Sequence, residues 1–134
     1  MLIDTSALMA LYSKEERYHK ECLSQFKLLA EKGIRGIMVE TVIEELILLV
    51  RKRVSREAAG KIAKDILKNK MIRVVFLNDK LMRETVEVFL KHKGEYSYVD
   101  CSEYVYAKAF GYSQIIAVDS DFGKLGLEVF PKVG

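Results

Sequence analysis

The sequence predicts an α/β fold, a single domain whose central, mainly parallel β-sheet is flanked by α-helices. Short apolar runs typical of buried strands alternate along the chain with longer segments of helical spacing. The chain has 134 residues and one proline, Pro131, with no repeat and no Pro/Gly-rich linker to divide it. We therefore expect one domain over residues 1–134.

The predicted elements begin with a strand over residues 1–3, an apolar run that ends at Asp4. Thr5 or Ser6 can cap a helix after it. The remaining elements follow in chain order: a helix over 15–32 closed by Gly33, a strand over 34–39, a helix over 41–53, a helix from Ser55 to about 70, a strand over 72–77, a helix around 81–90, a helix over 99–110 stopped by Gly111, and strands over 114–118 and 127–130.

Composition excludes some classes of protein. Half of the residues are hydrophobic, enough for a chain of this length to bury a core, and the formal net charge of +3 is too small to indicate nucleic-acid binding by itself. The longest plain apolar run, residues 46–50, is far shorter than the roughly 20 residues that span a membrane. Cys22 and Cys101 form neither a redox nor a metal motif, so we expect reduced thiols in a cytoplasmic protein that does not enter a membrane.

Aspartates fall at the ends of predicted strands and helices. Asp4 follows the first strand, Asp119 follows the strand over 114–118, and Asp100 lies in the first turn of a helix. Parallel sheets keep their ligand sites at the carboxyl ends of strands, so we expect these side chains to meet. One such aspartate alone is more often a helix cap or a turn residue.

Clustered carboxylates repel one another, which raises the pKa of each group. A hard divalent cation such as Mg²⁺ or Mn²⁺ relieves that repulsion because it prefers oxygen ligands. Such an ion can activate a water and hold a phosphate, so phosphodiester hydrolysis is the natural use of an all-carboxylate site.

Four short motifs and a characteristic ending occur in order along the whole chain. They are Leu2-Ile-Asp-Thr-Ser-Ala-Leu8, Thr41-Val-Ile-Glu-Glu-Leu46, Tyr98-Val-Asp-Cys followed by Ala107 and Ala109, Ala117-Val-Asp-Ser-Asp-Phe122, and Phe130-Pro131. In order and spacing they resemble the PIN domain family, nucleases that include the VapC-like toxins of toxin–antitoxin pairs.

The resemblance implies a metal-dependent endoribonuclease that uses Mg²⁺ or Mn²⁺ to cut an RNA substrate, forms a homodimer and binds a small antitoxin protein. It carries over a catalytic and metal-binding set: Asp4, Glu45, Asp100 and Asp119. It also suggests supporting residues: Ser6, Asp121 and Glu44. The family commonly has Thr or Ser two residues before the closing aspartate, where this chain has Ala117, so one hydroxyl near the site is absent.

The choice between Glu44 and Glu45 favours Glu45. The family glutamate usually precedes Leu or Val, and Glu45 precedes Leu46. Glu45 also neighbours Val42 and Leu49 at helical spacing, at the edge of the apolar stripe.

Basic residues are concentrated between positions 51 and 73, where nine Lys and Arg face two acids. Such a surface attracts phosphate, although a solvated helix face has the same composition. Arg51, Lys52 and Arg53 follow the acidic helix and are the candidates for RNA binding. The helices over residues 15–53 are the candidate dimer interface.

Two other functions stay open. One is a PIN-like RNA-binding or assembly module with weak or no cleavage activity, which the alanine at position 117 favours. The other is a phosphoacceptor domain or aspartyl phosphatase on a similar sheet, but Asp4-Thr-Ser lacks the second acid that such phosphatases place after the first strand.

Overall fold

A computed structural model, which describes residues 1–118 and 120–132, contains one five-stranded sheet with the order β3-β2-β1-β4-β5. Every neighbouring pair of strands is parallel, which confirms the predicted α/β class. The strands are β1 (Leu2–Ile3), β2 (Gly36–Val39), β3 (Ile72–Val75), β4 (Gln114–Ile116) and β5 (Glu128–Phe130).

Six α-helices and one short 3₁₀ helix connect these strands in the described part of the chain. They are α1 (Thr5–Tyr12), α2 (His19–Lys32), α3 (Glu40–Arg53), α4 (Arg56–Lys68), α5 (Asp79–Lys91), α6 (Tyr98–Phe110) and the 3₁₀ helix Ser120–Leu125. No helix among the described residues is long and apolar enough to cross a membrane.

The sheet is buried on both faces because successive strand residues point to opposite sides. Ile3 and Ile116 pack with α1 to α4 on one face. Leu2 and Ile115 pack with α5, α6 and the 3₁₀ helix on the other. This double burial explains why the inner strands β1 and β2 are continuous apolar runs, whereas the edge strands β3 and β5 each carry an exposed charged residue, Arg73 and Glu128.

Strand order reverses beside β1, whose neighbours are β2 on one side and β4 on the other. Ile3 pairs with Ile116, and the Asp4 backbone N–H continues the ladder by donating to the Ile116 carbonyl at 2.9 Å. A reversal of this kind leaves a crevice beyond the carboxyl ends of the two strands, the usual ligand site in open α/β sheets.

Several helices and strands begin or end at other residues than the sequence predicted. Asp4, and neither Thr5 nor Ser6, caps α1, because its carboxylate accepts from the Ser6 N–H. The helix expected over 15–32 begins at His19. The strand expected over 114–118 ends at Ile116, and the 3₁₀ helix after it was not predicted.

Candidate active site

A cleft of about 330 Å³ opens at the carboxyl ends of β1 and β4. Asp4, Glu45 and Asp100 line it, together with Ser6 from the first turn of α1. A larger cavity of about 1140 Å³ lies between α5 and α6, but none of the predicted acids lines that cavity. The smaller cleft is therefore the candidate site, because it gathers predicted acids at the carboxyl ends of the parallel strands.

Asp4 is almost completely buried, with 4% of its surface exposed, and hydrogen bonds fix its side chain. Its Oδ2 accepts hydrogen bonds from the Ser6 N–H at 3.1 Å and from the Ser6 hydroxyl at 2.5 Å. The same hydroxyl accepts from the Val118 N–H at 3.0 Å. Asp4 Oδ1 has no hydrogen-bond partner among the described residues, so one oxygen is positioned and the other is available.

Asp100 is fixed by a reciprocal cap at the start of α6. Its N–H donates to Ser97 Oγ at 3.0 Å, while its Oδ2 accepts from the Ser97 N–H at 3.1 Å. Burial raises the pKa of Asp100 to about 6, and the nearby charges of Asp4 and Glu45 add to the rise, against the lowering effect of the Ser97 hydrogen bonds. The site therefore disfavours its own negative charge when no cation is bound.

Glu103 joins this cluster from within α6, and sequence reasoning missed it. One carboxylate oxygen from each of Asp4, Asp100 and Glu103 lies within 4.8 Å of the others. Glu103 has 0% of its surface exposed, and neither of its carboxylate oxygens has a hydrogen-bond partner among the described residues. Burial raises the pKa of Glu103 well above its usual range, and Asp4 raises it further. Its position three residues after Asp100, on the same helix face, was the available signal.

The two candidate glutamates of α3, Glu44 and Glu45, differ in burial and in position. Glu45 is half-buried in the cleft, and its charge acts on both Asp100 and Glu103. Glu44 is exposed and lies beside Glu40, whose pKa is raised by burial and then by Glu44. The structure thus brings Glu45, and not Glu44, to the acidic cluster.

The donor set suits a hard divalent cation. Its charged groups are carboxylates, and three of its buried oxygens lack any hydrogen-bond partner in the described chain: Asp4 Oδ1, Glu103 Oε1 and Glu103 Oε2. Thr5 Oγ1, also buried at the cleft, is a fourth unpartnered oxygen. Buried polar atoms without partners are rare in native proteins, and an oxygen-preferring cation could be held by the carboxylate oxygens among them.

The family model for the PIN domain matches residues 1–127. The chain belongs to the PIN domain family. This PIN domain is 27% identical over 129 residues to a VapC ribonuclease of Aquifex aeolicus (strain VF5), a match that covers 95% of this chain and 93% of that protein.

Solved structures agree with the family assignment. VapC20 of Mycobacterium tuberculosis, described as a Sarcin-Ricin loop cleaving toxin, superposes with a TM-score of 0.81 at 26% identity, covering 94% of this chain and 95% of that one. FitAcB from Neisseria gonorrhoeae superposes with a TM-score of 0.68 at 13% identity, covering 97% and 96%, which supports the fold alone.

The other predicted acids of the PIN domain lie elsewhere or outside the described residues. Asp119 is not among the residues that the structure describes. Asp121 lies in the 3₁₀ helix, with its Oδ1 3.7 Å from Lys124 Nζ. Ala117 is fully buried, and its N–H donates to the Phe130 carbonyl at 2.8 Å.

Of the three basic candidates, only Arg53 lines the cleft, where its Nη1 lies 3.9 Å from Glu16 Oε1. Arg51 and Lys52 are exposed on the last turn of α3 and do not line it. Tyr18, which was expected inside a helix, is instead the residue before α2 and lines the same cleft.

Proposed function

We propose that this PIN domain is a Mg²⁺- or Mn²⁺-dependent endoribonuclease that hydrolyses RNA phosphodiester bonds and acts as the toxin of a toxin–antitoxin pair. The observation that carries the proposal is the all-oxygen cluster of Asp4, Asp100 and Glu103 at the β1–β4 crevice. The two VapC proteins, a ribonuclease and an RNA-loop-cleaving toxin, support it because each matches nearly the whole length of this chain. We assign residues 1–134 to one nuclease domain.

The reaction assigns distinct roles to this chain's own side chains. A divalent cation bound by this acidic cluster would polarise a phosphodiester oxygen as a Lewis acid, and it would offset the negative charge that develops during hydrolysis. Ser6 orients Asp4, and Ser97 orients Asp100, so both carboxylates are preorganised. We assign Glu45 and Asp119 to the same acidic set, with Asp119 following Val118 directly in sequence.

Histidine chemistry has no support in the described cleft. The Nδ1 of His19 lies 2.8 Å from the Ala10 carbonyl, and the His92 ring packs edge-on against Tyr96 at 5.3 Å. A metal-free route through the ribose 2′-hydroxyl requires a general base at the scissile bond, and neither histidine lines the cleft. We therefore expect hydrolysis that leaves 5′-phosphate ends.

RNA binding is assigned to the basic end of α3. Arg53 stands at the mouth of the cleft, and Arg51 and Lys52 extend its charge along the surface. Phosphate contacts of this kind supply affinity without reading sequence. The acidic residues supply catalysis, so substitutions can change RNA affinity and the rate of cleavage separately.

The partners in this proposal are a small antitoxin protein and a second copy of the chain, in the cytoplasm. We place the dimer interface within the segment 15–53, where Leu28, Ile34 and Leu48 are exposed apolar residues that a second copy could cover. Sedimentation at micromolar concentration is expected to give the mass of two chains, and Leu48→Arg to give the mass of one. A wild-type mass of one chain would contradict the dimer.

The nuclease proposal is tested by single-turnover cleavage of a labelled RNA with Mg²⁺ or Mn²⁺ and then with excess EDTA. Asp100→Asn is expected to cleave about 10²-fold more slowly, the scale of losing a principal electrostatic contact. Asp65→Asn, which changes an exposed acid on α4, is the matched control. Full activity in EDTA, or products with 2′,3′-cyclic phosphates, would refute the mechanism.

A second candidate function is an RNA-binding or assembly module without cleavage, which the alanine at position 117 favours. In this chain the Ser6 hydroxyl bonds to Asp4 and accepts the Val118 N–H, so a hydroxyl does connect the β4 end to the acids. Tight RNA binding by a wild-type protein that cleaves no RNA with either metal would favour this candidate.

A further inference from the structure

Glu103 is a charged side chain in a place where packing alone favours an apolar one. It lies in the middle of α6 between Cys101 and Val105, both buried, and it is itself fully buried. No donor among the described residues reaches either carboxylate oxygen. Burying an unpaired carboxylate is strongly unfavourable, so Glu103 is either neutral, with its proton shared with Asp4, or compensated by a cation outside the described chain.

The position of Glu103 relative to its neighbours indicates what compensates it. Asp100 and Glu103 are three residues apart on one helix, so they share a face, and that face meets Asp4 at the end of β1. Oxygens of the three side chains lie within 4.8 Å of one another. Three oxygens bound at about 2.1–2.4 Å and spread evenly around one cation are separated by about 3.6–4.2 Å, and two on opposite sides by up to about 4.8 Å, so separations within 4.8 Å are compatible with one ion between the three groups.

We propose that Glu103 is a ligand of the same divalent cation, held on the buried side of the cluster with Asp4 and Asp100. This inference rests on the proposed function and adds a ligand to it. Asp100 is partly exposed and its Oδ2 is engaged by Ser97, whereas the oxygens of Glu103 are fully buried and receive no N–H or hydroxyl of the described chain, their one neighbour within hydrogen-bond reach being the Asp4 carboxylate. Glu103 is therefore the carboxylate with the greatest free ligand capacity in the cluster.

The competing explanation is structural. A neutral Glu103 could donate a hydrogen bond to Asp4 and serve only to order that side chain. Glutamine is close to glutamate in shape and also donates, so it preserves this structural role. It carries no charge, so it does not preserve a carboxylate ligand. Glu103→Gln consequently separates the two explanations.

The experiment is calorimetric titration of Mn²⁺ into the full-length wild type, Glu103→Gln and the control Glu31→Gln, which changes an exposed glutamate of α2. Mn²⁺ affinity is expected to fall about 10- to 100-fold in Glu103→Gln, the scale at which metal sites respond to loss of a supporting group, and to stay unchanged in the control.

Mn²⁺ affinity of Glu103→Gln within twofold of a wild type that does bind Mn²⁺ would overturn the assignment of Glu103 and leave the proposed nuclease function intact. A wild type that binds no Mn²⁺ would overturn both. If Glu103→Gln does not fold, Glu103→Asp keeps the charge and retracts the carboxylate by one methylene. Weaker Mn²⁺ binding by Glu103→Asp supports the assignment, and wild-type affinity overturns it.

Discussion

The backbone N–H of Val118 donates a hydrogen bond to the hydroxyl of Ser6 at 3.0 Å, across 112 positions of the chain. That hydroxyl also donates to Asp4 at 2.5 Å. One side chain thus ties the first acidic motif to the strand end that precedes Asp119. Because α1 begins directly after β1, no flexible loop intervenes between the strand and this contact.

Ser6→Ala is expected to lower the free energy of unfolding by about 1–3 kcal/mol in EDTA, because the Val118 N–H loses its partner and Asp4 loses a charge-assisted bond. Urea unfolding measures this change. Ser24→Ala, at an exposed position of α2, is the control and is expected to change stability by about 0.5 kcal/mol or less. Equal effects of the two substitutions would show that the Ser6 contacts add nothing.

Stability without metal is expected to fall as pH rises from about 4 to above 6. The pKa of Asp100 is raised to about 6 from an ordinary value of 3.8, so the folded state binds more protons than the unfolded state between these values. Asp100→Asn is expected to remove part of that slope and to stabilise the protein at pH 7.5 by about 1–2 kcal/mol, after allowance for partial exposure. Urea unfolding at pH 5 and 7.5 in EDTA tests this, and an unchanged slope contradicts it.

The sequence was sufficient for the parallel sheet and for the expectation that Asp4 and Asp100 lie close together. Asp4 and Asp100 were predictable because each follows an apolar run or a capping serine, and a parallel sheet gathers such positions at one edge. The choice of Glu45 over Glu44 came mainly from the family pattern, and the helical spacing that places Glu45 at the edge of the apolar stripe added weaker support.

Other features depend on tertiary contacts that spacing does not encode. A glutamate within a helix is ordinarily a solvated surface charge, and only the packing of α6 against the sheet reveals that Glu103 is buried. Likewise, nothing in the sequence distinguishes which of the three basic residues at the end of α3 lies nearest the acids. Only the crevice geometry distinguishes Arg53 from its neighbours.

Arg53→Ala is expected to weaken RNA binding and to reduce the slope of log affinity against log salt by about 0.7–0.9, the loss of one phosphate contact. Lys80→Ala is the control, because Lys80 lines the distant α5–α6 cavity. Glu16→Gln is expected to strengthen binding, since Glu16 competes with phosphate for Arg53. Titrations in EDTA, where cleavage is suppressed, measure all three. An identical salt slope for Arg53→Ala and wild type contradicts the assignment.

Gly36→Ala is expected to destabilise the fold by about 1–3 kcal/mol, because a Cβ at this position of β2 would overlap Ile3 Cδ1 in the packed core. Gly60→Ala is the matched control. Gly60 lies exposed in α4 with no atom near its added Cβ, so alanine there is expected to stabilise by about 0.5–1 kcal/mol. Thermal unfolding of the two variants should shift in opposite directions, and shifts of the same sign would contradict the packing argument.

The contact between Ser6 and Val118 also sets when the site can exist during synthesis. Ribosomes add about 5–20 residues per second, so roughly 6–23 seconds separate the addition of Asp4 from that of Val118. Throughout that interval β1 lacks the neighbour β4, and Ser6, which orients Asp4, lacks its contact with Val118. On the proposed function, a ribosome making this nuclease therefore carries a nascent chain that cannot yet cut RNA, and activity begins only after β4 and Val118 have been added and have paired with the amino-terminal motif.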